Sequence, residues 1–258
     1  MNTRRLTTAG VALVAAVSFG LAGCSSNGST GGAADPSASA SSAAAQLEPS
    51  EELSAAAQKL NQDTAKTTFT MAGVTGTGSV DPPAKKLRMT MNLGAGNQSI
   101  KTEMIVLSND VYLRMDGVPN LSGKWLHIDA TKLAAGNQLR QMSSGDPVGA
   151  TNLLSSVTDV QRVGEHSFQG TLDFTKSPTV DKQALQKLGD KAKAVPFTAK
   201  TDEQGRLTDL TVDMESVQAG LGELKATYSD FGAQVTVEKP AASEVEEASA
   251  DVLRAFGG

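Results

Sequence analysis

Leu87-Arg88-Met89-Thr90-Met91-Asn92-Leu93 alternates apolar and polar side chains without a break. Successive strand side chains point to opposite faces, so Leu87, Met89, Met91 and Leu93 share one face and Arg88, Thr90 and Asn92 the other. A strand of this kind belongs to a sheet with one covered and one solvated face, the habit of antiparallel sheets. Outward from it the same period recurs. Phe69 and Met71 alternate with Thr68 and Thr70 on the N-terminal side, and the Gly-rich run Gly73 to Ser79 reads as the intervening turn. On the C-terminal side Gly94-Ala95-Gly96-Asn97 reads as a turn and Ile100 to Leu107 as a strand. Ser108-Asn109-Asp110 then reads as a hairpin turn, followed by strands at Val111 to Met115 and Trp125 to Ile128.

Helical spacing flanks this set. Leu53, Ala56, Ala57 and Leu60 predict a helix from Ser50, its N-cap, to about Thr64, with Glu51 and Glu52 in the first turn. Thr131 to Met142 reads as a helix with Leu133 and Leu139 apolar. Asp146-Pro147 reads as the cap and first position of another, with Val148, Leu153 and Leu154 on its apolar side. Strands resume at Val157 to Val163 and Phe168 to Phe174, and Asp181 to Leu188 is a short helix. Val195 to Thr201 and Leu207 to Met214 form a hairpin around Asp202-Glu203-Gln204-Gly205. Leu224 to Tyr228 and Val235 to Val237 end the sheet, and Ser243 to Phe256 reads as an amphipathic C-terminal helix. Hairpin-length connections make the sheet antiparallel and the fold class α+β, and a sheet apolar on one face must cover that face. The helices are the obvious cover.

The N-terminus carries a different signal. Arg4 and Arg5 precede an apolar run from Ala9 to Leu21, which leads into Leu21-Ala22-Gly23-Cys24. This is the layout of a secretory signal peptide, with an apolar run too short for a settled span. The ending resembles a bacterial lipobox, which implies that residues 1–23 are removed and that Cys24 receives acyl chains such as palmitate. Two chains suffice for stable anchoring at about 0.8 kcal/mol per buried methylene. Cys24 is the only cysteine, so acylation there would leave no thiol for disulfides, zinc or catalysis. From residue 25 to about 49 the chain is mostly Ser, Gly and Ala with Asp and Pro, and large apolar side chains are almost absent. That is a flexible tether, with a typical reach of roughly 28 Å. The expected organisation is therefore a signal peptide over 1–23, a lipidated linker over 24–49, a folded domain over 50–240 and a C-terminal helix and tail over 241–258. The expected location is the extracytoplasmic face of the cell membrane.

The formal charge is −5, and loss of the leader's two arginines makes the remainder more acidic. No basic stripe suggests nucleic acid, and an acidic surface does not adhere to anionic lipid. Of the two histidines, His127 lies on a short strand and His166 in a turn, at no metal-ligand spacing. Both read as surface or structural residues. There is no His-Glu-x-x-His run, no Gly-x-Ser-x-Gly elbow and no phosphate-cradling glycine motif. Asp81-Pro82-Pro83 reads as a turn, and Trp125 as a half-buried packing residue. The sequence therefore predicts no enzyme, no metal and no cofactor. Met71, Met89, Met91, Met104, Met115 and Met214 fall on predicted strands, and methionine suits surfaces that accept variable apolar partners.

One segment carries a family likeness. Asp146-Pro147-Val148-Gly149-Ala150-Thr151-Asn152-Leu153-Leu154-Ser155-Ser156-Val157-Thr158-Asp159-Val160, followed by His166-Ser167-Phe168-Gln169-Gly170-Thr171, resembles the helix-to-strand passage of the LppX/LprG-type lipoproteins of mycobacteria and related actinobacteria. The pairs Val111-Tyr112-Leu113-Arg114 and Lys124-Trp125-Leu126-His127-Ile128-Asp129 are also similar to that architecture, as is, more distantly, the LolA/LolB layout. The resemblance spans about residues 50–240 and does not extend to the acidic helix predicted at Ser243 to Phe256. It implies a half-barrel, a strongly bent antiparallel sheet with helices in its concave face, around a cavity for the acyl chains of lipids or lipoglycans. It also implies a membrane transporter as partner. The expected cavity wall is Leu87, Met89, Met91, Leu93 and Met104 from the sheet, with Leu133, Leu139, Leu153 and Leu154 from the helices. A tethered interaction or sensor module, binding a protein at the cell surface through a sheet edge or tip loops, is the alternative expectation.

Overall fold

A computed structural model describes residues 47–95, 98–118, 123–134, 137–177 and 182–255. The predicted signal peptide, Cys24 and nearly all of the linker lie outside the described residues. The chain opens with α1 (Pro49–Leu60), whose buried side is Leu53, Ala56, Ala57 and Leu60, as its spacing requires. Pro49 sits at the helix start, where its missing N–H costs nothing. The expected cap, Ser50, is inside the helix, and Glu48 is the N-cap residue. The helix also stops short of Thr64. There the Thr64 hydroxyl donates to the Ala233 carbonyl at 2.7 Å, and its own carbonyl accepts from Gly232 N–H, so tertiary contacts claim the residue.

Twelve strands follow: β1 (Ala65–Met71), β2 (Val74–Asp81), β3 (Lys86–Ala95), β4 (Gln98–Leu107), β5 (Asp110–Asp116), β6 (Trp125–Asp129), β7 (Val157–Gly164), β8 (Ser167–Leu172), β9 (Val195–Thr201), β10 (Leu207–Asp213), β11 (Glu223–Ser229) and β12 (Val245–Glu247). They form one open sheet in the order β12-β6-β5-β4-β3-β2-β1-β11-β10-β9-β8-β7. Two meanders, β1 to β6 and β7 to β11, meet where β1 pairs with β11. Every pairing is antiparallel except β12 with β6. The α+β class with a dominant antiparallel sheet is the one the alternating pattern indicates.

The Gly-rich run Gly73 to Ser79 is not a turn. The turn is Ala72-Gly73 alone, with φ of 47° and 80°, as a two-residue type I′ hairpin demands. Gly76 is in β2 because Phe69 of β1 lies across it. A Cβ there would sit 1.9 Å from the Phe69 ring. Composition signalled a loop, but the glycine serves a cross-strand aromatic.

The central helices are shorter than predicted. Asp129 accepts from Thr131 N–H and starts a 3₁₀ turn over Ala130–Lys132, and Leu133 leaves it extended. Asn137 then caps α2 (Gln138–Met142), accepting from Leu139 N–H. Two local caps thus break what the periodicity joined. The next helix, α3 (Ala150–Leu154), begins after Pro147, with Gly149 at its N-cap. Asp146 still serves it, since its carboxylate accepts from Thr151 N–H at 3.4 Å and Asn152 N–H at 3.0 Å. Phe174 lies in a 3₁₀ turn and not at the end of β8. α4 (Lys182–Leu188) matches its expected place.

The C-terminal end departs most. Val235 to Val237 pairs with no strand, and Ser243 to Phe256 is not one helix. Ala242–Glu244 is a 3₁₀ turn, Val245–Glu247 is β12, and only Ala250–Ala255 is α-helical, as α5. The reason is burial. Ile105, Tyr112 and Trp125 project from the outer face of β4, β5 and β6, and Val235, Val237 and Val245 cover them. These strands are buried on both faces, which accounts for their near-continuous apolar runs.

Most of the core lies on the opposite, inner face. α1 and α3 pack there against Phe168, Leu172, Phe197 and Leu210 of the second meander. The first meander contributes Val80, Leu87, Val106, Val111 and Ile128, capped by Leu133. Val148 and Phe231 touch both clusters and join them.

Candidate functional site

Between those clusters a cavity of about 550 Å³ opens on the inner face, under α2, the 146–149 turn and α3. Register explains its sheet wall. Met89 faces Met104 across the β3–β4 pair, Met104 faces Leu113, and Thr102 pairs with both Met91 and Met115. Period-two geometry then places all of them on one face. The second meander adds Leu210, Leu224, Ala226 and Tyr228, and the lid side adds Leu139, Met142, Val148 and Leu153.

Of the nine residues expected to form a cavity wall, Met89, Met91, Met104, Leu139 and Leu153 line this space. Leu87, Leu133 and Leu154 do not. Leu87 and Leu133 are packed into the first-meander cluster, and Leu154 into the second. Leu93 is 37% exposed, although it shares the parity of Met89 and Met91. Its part of β3, paired with Val74 and Ile100, extends past the helical cover. Met71 and Met214 are not on the wall either. Phe69, Met115 and Met142 were missed as cavity residues. Met115 had the right parity through its pairing with Thr102, but Met142 is placed by α2, whose bounds depend on the Asn137 cap.

The cavity has one polar end. Asp146 accepts a further hydrogen bond from Asn152 Nδ2 at 2.9 Å, and that amide also reaches Gln141 Oε1 at 3.3 Å. Tyr228 lies close by and is buried. Burial first, and then the Asp146 charge, push its phenol well above the ordinary range, so it stays protonated. Thr67, Thr102, Gln138 and Ser177 also border the cavity, and most of the remaining wall is aliphatic, aromatic or thioether. Such a site can exclude water from apolar chains.

A second depression, about 460 Å³, lies across β7 to β11 on the outer face, bordered by Asp159, Gln169, Thr171, Thr198, Asp213 and Glu223. Its polar border gives an apolar chain little to gain.

The histidines take different places. His166 is in the β7–β8 turn, 3.9 Å from Glu165. His127 is bracketed by Asp110 and Glu247, 17 and 120 residues away in sequence. Its two nitrogens diverge toward different carboxylates and do not converge on a point. Among the described residues no group of three or more His, Cys, Asp or Glu could hold a metal ion. No helix among them is long and apolar enough to cross a membrane.

Trp125 is buried and not half-buried as expected. The Arg114 guanidinium stacks 4.8 Å from its ring and pairs with Glu103. Burial raises the Glu103 pKa, but the Arg114 and Lys101 hydrogen bonds and charges outweigh it, and the carboxyl lies below 4.5. A depressed carboxylate contributes stability that is present above its unfolded value and lost as pH falls through the folded one. Glu103→Gln is therefore expected to cost about 2 kcal/mol at neutral pH, discounted for the partial exposure of Arg114. Urea midpoints should show the gap between Glu103→Gln and wild type closing in acid. A gap that persists there would assign the loss to packing.

No protein-family model matches this chain, and no curated protein matches it either.

Proposed function

We propose that this chain is a cell-envelope lipoprotein of the LppX/LprG type. Its domain holds the acyl chains of lipids or lipoglycans in the inner-face cavity and carries them between envelope partners. In this reading the sheet is bent as a half-barrel, with α1, α2 and α3 in its concave face, and Cys24 anchors the protein to the outer leaflet. The carrier is not an enzyme, and a membrane transporter supplies or accepts its cargo.

The observation that carries the reading is the cavity itself. Its volume of about 550 Å³ falls within the range of ligand sites, about 300–1,000 Å³. Each buried methylene contributes about 0.8 kcal/mol, so about ten of them supply about 8 kcal/mol before the costs of ordering. Flexible methionines let one wall fit chains of different shape. Selectivity comes from cavity shape and the polar end at Asp146 and Tyr228.

The test uses the Cys24→Ser chain, which carries no acyl group of its own. Native mass spectrometry should show a co-purified lipid that a fluorescent fatty acid displaces. A chain that is dry after gentle purification and takes up no fatty acid would sink the reading. A dry chain that captures one specific envelope protein would favour the tethered interaction module. The same substitution tests the anchor: wild type should sediment with membranes, and Cys24→Ser should not.

A further inference from the structure

His127 stands on the outer face of β6, stacked on Tyr112 with ring centroids 5.0 Å apart. Its Nδ1 is 2.7 Å from Glu247 Oε1, and its Nε2 is 2.7 Å from Asp110 Oδ1. A neutral imidazole has one N–H and one bare lone pair. With both nitrogens against carboxylate oxygens, a neutral ring would set a lone pair against a lone pair. Only the imidazolium satisfies both contacts.

The two carboxylates belong to different parts of the fold. Asp110 opens β5, inside the first meander. Glu247 ends β12, a three-residue strand held to the sheet through β6. Beyond it Ala248 N–H donates to the His127 carbonyl at 2.9 Å. Ala248 and Leu253 then pack against the inner-face cluster that includes Met89, Met104 and Leu113. Those three also line the cavity. The C-terminal segment thus passes around the β6 edge, from the outer face to the core cluster that supplies part of the cavity wall.

We propose that His127 is a pH-dependent latch: as the imidazolium it ties Glu247 to Asp110 and holds residues 245–253 on the sheet, and loss of its proton loosens that segment. The surrounding charges set the direction. Asp110 and Tyr112 face the ring from β5, and Glu247 faces it from β12. Lys239 of the covering segment sits 5.7 Å above the Tyr112 ring and supplies the opposing positive charge. Asp129, on the same strand as His127, feels the imidazolium charge. Burial disfavours the charged ring, but the hydrogen bonds and charges of Asp110 and Glu247 outweigh it and hold the pKa above 6.5. A raised histidine contributes stability that is complete below its unfolded value and is lost as pH rises through the folded one. The latch is therefore closed in mild acid and opens on the alkaline side.

Hydrogen exchange on the full chain tests this, with the Ala248 amide and its neighbours in 246–253 as reporters. After correction for intrinsic rates, their opening should increase several-fold between about pH 6 and about pH 8.5, where histidine loses its proton. His127→Gln should be open at both. Glu247→Gln, at a site exposed enough to leave the sheet folded (76% side-chain exposure), should lower the histidine midpoint seen by NMR and weaken the pH dependence. Ring nitrogen shifts in mild acid should show both nitrogens protonated. A pH-independent opening in wild type, a wild-type profile in His127→Gln, or a neutral ring in mild acid would overturn the proposal.

Discussion

Ala226→Trp is expected to exclude lipid from the cavity while leaving the sheet intact. Ala226 sits on β11 between Phe69 of β1 and Leu210 of β10, and all three border the cavity. The Phe69 ring leans the other way, over Gly76, so an indole at 226 projects into open space and not into packed core. Displacing about four methylenes of a bound chain removes about 3 kcal/mol, roughly a hundredfold in affinity. Titration with a fluorescent fatty acid reads the effect directly. Lys225→Trp is the control, because that neighbour is exposed on the other side of the strand (58% side-chain exposure) and binding should not change. Equal affinity in Ala226→Trp and wild type would mean that ligand, if any, goes elsewhere.

Gly170→Ala is expected to be the most damaging small substitution in the sheet. Gly170 on β8 pairs with Val160 of β7 and Phe197 of β9. A Cβ there would lie 1.8 Å from the Asp159 carbonyl oxygen. The register of β7 shifts between Val157 and Asp159, and a bulged strand cannot retreat without losing its ladder. The clash is with backbone, so no side chain can swing aside. The expected loss is about 3 kcal/mol, or about 6–12 °C in a domain of this size. Gly164→Ala is the comparison. Its Cβ would make ordinary contact with Ser167 at 3.4 Å, and its midpoint should barely move. An unchanged melting temperature in Gly170→Ala would mean that the bulge relaxes freely.

How much of this was legible depends on how local each signal is. The strand at Leu87 to Leu93 declared its face by alternation alone, and α1 declared its buried side by spacing. Gly76 and Gly170 were opaque, because what fixes them is a side chain or a carbonyl from another strand. β12 was opaque for a related reason. Val245-Glu246-Glu247 reads equally well as helix, and only the uncovered Trp125 and His127 edge decides it. For the cavity wall, parity found Met89, Met91 and Met104, but parity cannot say where a strand leaves its cover, and Leu93 lies past that point. Leu87 and Leu133 look like Met89 and Leu139 in sequence. Whether such a residue borders a space or fills one depends on the helices opposite, and local caps at Asp129 and Asn137 set those.

The seam between β1 and β11 bears on how the domain comes into being. The Thr68 and Thr227 hydroxyls meet across it at 2.6 Å, 159 residues apart in the chain. Pairing so distant closes a long loop, and folding steps of that kind are late and slow. Met89, Met104 and Leu113 come from one side of the seam, and Leu210, Ala226 and Tyr228 from the other. Each meander can form hairpins alone, but neither encloses the cavity. That cavity exists only after the ribosome has delivered residue 229 and the seam has zipped, so a partly synthesised chain encloses none.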